Sequence, residues 1–132
     1  MTNLSVSIRP WMVDAAIKEV RDGFKSGLIG REEFNMGFYE TMDTCGTTRC
    51  IGGWAADLLG LSGKLGYELQ EIQPRAKELF APTGGILSKL DWYTINKKQA
   101  IHAIDNYLAG KPHPWNDIEL TKTQRKQLEQ EA

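Results

Sequence analysis

The sequence predicts an all-α fold: a compact single-domain bundle of about four to six helices around a central Cys/Gly-rich helix, with an irregular extended segment at 28–44. Three observations carry that expectation. Apolar residues recur at helical spacing through most of the chain. The one short alternating run, Phe34-Met36-Phe38, has no second strand to pair with. The length of 132 residues, with 41% hydrophobic and 25% charged residues, fits one globular domain with a real core.

The first helix is expected from about Pro10 to Ser26. Pro10 suits a first-turn position, Val13, Ile17, Val20 and Phe24 share a face, and Gly27 is a natural stop. Asp14 and Lys18 are expected on its outer face as an i, i+4 pair, and Gly23 weakens its last turn. A second helix is expected over Thr48 to Leu59, capped by Thr47 or Thr48, with Cys50, Ile51, Trp54, Ala55, Leu58 and Leu59 as its apolar stripe. Gly52 and Gly53 each cost about 1 kcal/mol relative to alanine in such a helix, so close approach of another backbone is the expected compensation.

Leu65 to Phe80 keeps helical period, but Pro74 interrupts it, which predicts two short helices over 66–72 and 74–80 or one sharp kink. Pro82, Gly84 and Gly85 read as a loop, and 86–90 as a further turn of helix. The last strong helix is expected from Asn96 to Ala109, opened by a capping box of Asn96 with Gln99 and closed by Gly110. His102 is expected to face solvent there with Lys98, Asp105 and Asn106, and Trp115 to dock back on the domain. Residues 1–118 form the expected domain, and 119–132 a polar tail, helical in patches with Arg125 and Glu129 as an i, i+4 pair, without an apolar face or a core role.

Sixteen Lys and Arg against seventeen Asp and Glu, a net charge of -1, argue against a nucleic-acid partner, which would need a basic face. Met1 to Pro10 has no apolar run of signal-peptide length, and no stretch is apolar enough to span a bilayer, so a cytoplasmic protein with no membrane partner and reduced thiols is expected.

The unusual constellation is Cys45-Gly46-Thr47-Thr48-Arg49-Cys50-Ile51-Gly52-Gly53-Trp54. A cysteine in the first turn of a helix, beside an arginine, has a lowered pKa and favours the thiolate. If the protein is a thiol-dependent enzyme or thiol switch, Cys50 is the candidate nucleophile and His113 the candidate base. The competing expectation, a small buried side chain, is the commoner role of a free cysteine. Cys-x4-Cys is neither a zinc-knuckle nor a thioredoxin spacing, so no metal, redox pair or cofactor is expected. Neither Gly52-Gly53 nor Gly84-Gly85 has the phosphate-loop pattern. Trp11, Trp54, Trp92 and Trp115 are many for this length, and Arg49, Trp54, Trp92 and Trp115 are the candidate binding residues for a protein partner.

Phe34-Asn35-Met36, Cys45-Gly46-Thr47 with Cys50-Ile51, Gly53-Trp54-Ala55, Leu79-Phe80 and Gln99-Ala100-Ile101 together resemble a group of small uncharacterised bacterial and phage proteins. Those share a Phe-Asn/Asp-Met segment, a Cys-Gly-Thr-x-x-Cys-Ile-Ala/Gly-Gly core and a Gln-Ala helix. Gly52 stands where that pattern more often has alanine. The resemblance spans roughly 34–115 and brings no catalytic residue with it. It implies a phage or mobile-element protein that binds one host or defence protein.

Overall fold

The computed structural model describes residues 8–29, 40–43, 46–49, 51–60, 68–80 and 94–131. It is an all-α fold of several helices, as expected, with one short hairpin added. The elements are α1 (Pro10–Ser26), β1 (Glu40–Asp43), β2 (Gly46–Arg49), α2 (Ile51–Leu58), α3 (Glu68–Ile72), a 3-10 turn (Pro74–Ala76), α4 (Lys77–Phe80), α5 (Lys97–Leu108) and α6 (Lys122–Glu131).

Helix α1 has the predicted limits. Pro10 occupies its first turn, and Gly27 ends it at φ 84°, a left-handed conformation that glycine adopts without a Cβ penalty. Val13, Ile17 and Val20 are fully buried and Ala16 and Phe24 nearly so. This stripe packs on α2 and on α5. Asp14 lies against Tyr107 near the end of α5, while the Lys97 ammonium at its start reaches the carbonyls of Phe24 and Ile29 at 3.4 and 2.9 Å. The two helices therefore run antiparallel, with a cation at the negative end of α1. Gly23 has a use in this arrangement: a Cβ there would sit 2.9 Å from Ile29 Cδ1.

Several expectations need correction. Helix α2 begins at Ile51, and Thr47 and Thr48 belong to β2, so neither caps it. Two β-branched threonines read as caps serve instead as strand residues, which their stiff side chains also favour. Glu40 to Asp43 pairs antiparallel with Arg49 to Gly46, so the extended part of 28–44 finds its partner in the segment read as the start of a helix. The neighbour that Gly52 admits is a ring rather than a backbone: a Cβ at Gly52 would meet Phe80 Cγ at 3.2 Å. Pro74 divides its region as predicted, here into α3, a 3-10 turn and α4. The run 30–39, Cys45, Cys50 and the loop and helical turn expected at 82–90 lie outside the described residues.

Helix α5 carries the predicted capping box. The Gln99 amide N–H donates to Asn96 Oδ1 at 2.8 Å, and Asn96 N–H donates to Gln99 Oε1 at 3.1 Å. Ala100, Ala103, Ile104 and Tyr107 fill its inner face. In the C-terminal tail the helical patches are one continuous helix, α6 over 122–131, and the departure is that the side chain of Gln124 is fully buried. No helix among the described residues is long and apolar enough to cross a membrane.

Candidate functional site

The polar side chains that the fold draws inward gather on α5, in two places. The first lies between α1 and α5. Tyr107 Oη donates to Asp14 Oδ1 at 2.6 Å, and Gln73 Nε2 donates to both Asp14 oxygens at 3.3 and 3.1 Å. Arg75 lies over the Tyr107 ring at 4.6 Å and donates to the Tyr107 carbonyl at 2.9 Å. Asp14 thus faces α5 and the Gln73 turn, not the outer face expected for it. Burial first, then the Asp14 hydrogen bond and charge, push the Tyr107 hydroxyl well above the usual phenol range, with Arg75 opposing. A phenol so held is a donor, not a nucleophile.

The second place is a groove of about 450 Å³ lined by Asn96, Lys98, Gln99, His102, Asp117, Glu119, Leu120 and Thr121. Of these, Gln99 is paired with the buried amide of Gln124, which does not itself line the groove. Gln99 Nε2 donates to Gln124 Oε1 at 2.7 Å while Gln124 Nε2 donates to Gln99 Oε1 at 3.1 Å. Each glutamine also serves its own helix. Thr121 N–H donates to Gln124 Oε1 at 3.0 Å, and Gln124 N–H to Thr121 Oγ1 at 3.1 Å, a second capping box matching that of α5. The remaining amide hydrogens go to the carbonyls of Glu119 (2.8 Å) and Thr94 (3.1 Å). All four donor and acceptor capacities of both side chains are used, as burial requires.

At the rim, His102 Nε2 lies 3.0 Å from Asp117 Oδ1, which also accepts from Asn106 Nδ2 at 2.6 Å. His102 does face solvent, at 48% exposure. Asn106 is instead buried, because its amide also donates to the Pro114 carbonyl at 2.9 Å and ties the 111–118 loop to α5. Desolvation works to raise the Asp117 carboxyl. Hydrogen bonds from Asn106 and His102, with the charges of His102 and Lys111, outweigh it and hold the group below the usual carboxylate range. A His–Asp pair can carry a proton, but catalysis needs a nucleophile within reach. Thr121 Oγ1, the hydroxyl lining this groove, is engaged as a cap acceptor.

Of the predicted site residues, Trp54, His113 and Trp115 are described in full. Trp115 is buried, with Nε1 donating to the Leu79 carbonyl at 2.9 Å, so it docks as expected but offers no binding face. Trp54 is half-buried against the core. Arg49 stands on β2 with its side chain outside the description, as is all of Trp92. His113 is exposed, and its proposed partner Cys50 lies outside the described residues. Among the described residues no cluster of three or more His, Cys, Asp or Glu could hold a metal ion. Among the described residues the exposed large apolar side chains are Trp11 (68%), Leu28 (84%), Leu58 (46%) and Leu108 (36%). Trp11 is not among the candidate binding residues of the sequence, although its place opposite the Val13-Ile17-Val20 stripe is a signal for exposure.

No family model matches the chain, and no curated protein or solved structure is similar to it.

Proposed function

We propose that this chain is a small non-enzymatic protein-binding module of the cytoplasm, encoded by a phage or mobile element, that modulates a host or defence protein. The observation that carries the reading is the exposure of Trp11, 68%, on the solvent side of α1. An indole there is a large, rigid contact surface of the kind that anchors interfaces. Leu108 stands at the same end of the antiparallel pair, since Tyr107 meets Asp14 one turn after Trp11. The buried polar groups of α5 support the same reading, because their hydrogen bonds hold helices together rather than converge on a vacant reacting position. The near-neutral charge and the resemblance to phage proteins add the choice of a protein over nucleic acid.

The test is capture of partners from bacterial lysate by the tagged chain at low and high salt, beside Trp11→Ala. One near-stoichiometric protein retained by the wild type at both salts and lost from the variant is the expected result. No retained protein, or equal retention by the variant, overturns the assignment to Trp11. Retention that vanishes at high salt and follows nucleic acid would replace the protein partner with a phosphate backbone.

A further inference from the structure

We infer that α6 is a latch: it docks on α5 and releases as one unit while the α1–α5 core stays folded. The inference stands on the seam between the two helices and is independent of the binding reading. Of the side chains of α6 that are described, Gln124 alone is fully buried, with Gln127 and Leu128 half-buried and Leu128 packed on the core. Lys122, Thr123, Arg125, Lys126, Glu129 and Gln130 are exposed. The helix therefore has little apolar surface to lose when it leaves, in contrast to α1.

Besides the Leu128 contact, the seam is polar and self-complementary at Gln124: the two reciprocal Gln99–Gln124 bonds and the Gln124 bond to the Thr94 carbonyl. Water can replace such bonds on release at small net cost, whereas a shifted register leaves buried amides unpaired. The seam thus favours two states, docked in one register or free, over a continuum. The two ends of the latch also differ in what they keep. On release, Gln99 still accepts from Asn96 N–H, so the cap of α5 persists. A free ten-residue helix, by contrast, is marginal in water, so residues 122–131 lose helix as they undock. Docking and folding of α6 are one event.

Hydrogen exchange of the full chain tests this. In the wild type, amides of residues 125–131 should exchange through openings much more frequent than those of Val20 or Ile104. Gln124→Glu separates the latch from the cap. A glutamate at this position still accepts from Thr121 N–H, but it sets an acceptor against Gln99 Oε1 and the Thr94 carbonyl. Exchange over 125–131 should rise about tenfold or more, with α1 and the inner face of α5 unchanged. The latch is overturned if the wild-type α6 amides are protected to the same level as those of α1. It is equally overturned if Gln124→Glu accelerates α1 and α6 together or prevents folding, since α6 would then belong to the core unit.

Discussion

Helix α5 carries two seams that could hardly differ more. Toward α1 it presents a mainly apolar face, with Ala100, Ala103, Ile104 and Tyr107 buried like Val13, Ile17 and Val20 opposite, bordered by the Tyr107–Asp14 hydrogen bond and the half-exposed Arg21–Asp105 ion pair. Toward α6 it presents the amide of Gln99 to the amide of Gln124. The apolar part of the first seam is nondirectional and grows with area; the amide pair of the second is directional and grows with the fit of donors to acceptors. Burial of apolar surface sets how firmly α1 and α5 hold, while the amide pair sets where α6 sits. One helix therefore has a face for strength and a face for register.

Substitutions should separate the two faces. The largest expected effect is in the apolar seam: Ile104→Ala should cost about 2–5 kcal/mol and lower the midpoint of the whole unfolding transition, read by chemical denaturation. Tyr107→Phe, which keeps the ring and removes the bond to Asp14, should cost about 1–2 kcal/mol. It also sharpens the comparison through pH. The Tyr107 pKa is raised on folding, so its contribution is present below the free phenol's pKa and is lost as pH rises through the folded value. Wild type should thus lose stability above about pH 10 and Tyr107→Phe should lose less, in parallel denaturation series. Gly27→Ala should cost about 1 kcal/mol, because φ 84° strains any residue with a Cβ although the space around it is open.

The smallest effect belongs to the rim. Asp117 has a lowered pKa, so its contribution is present above the unfolded carboxyl pKa and disappears as pH falls through the folded value. The difference between wild type and Asp117→Asn should therefore be measurable near neutrality and close below about pH 4. A constant difference down to strong acid would mean that Asn106 and His102 do not act on the carboxylate.

The sequence showed one of these seams clearly and hid the other. Val13, Ile17 and Val20 announce themselves by spacing, Pro10 and Gly27 mark the ends of α1, and Asn96 with Gln99 marks the start of α5. All of these are local signals. Gln124 carries no apolar periodicity, so a search for hydrophobic faces passes over α6; only Thr121 three residues before it marked a second capping box. Asp14 and Asn106 read as outward-facing because polar side chains on a helix usually are, and their partners lie 93 and 8 residues away along the chain. Thr47 and Thr48 suit a cap and a strand alike, and the pairing with Thr41 and Met42 is what decides. For the candidate site, the surplus of tryptophan was legible but its distribution was not. Trp115 has a buried carbonyl to meet and Trp11 does not.

The amide pair also bears on how this sequence can drift. Gln99 and Gln124 each present one donor edge and one acceptor edge to the other, so a change at either leaves its counterpart mismatched inside the protein. Each is at the same time the third residue of its own helix, where an oxygen acceptor is wanted. The two positions consequently behave as a single unit under mutation, separated by 25 residues of sequence but open only to joint replacement.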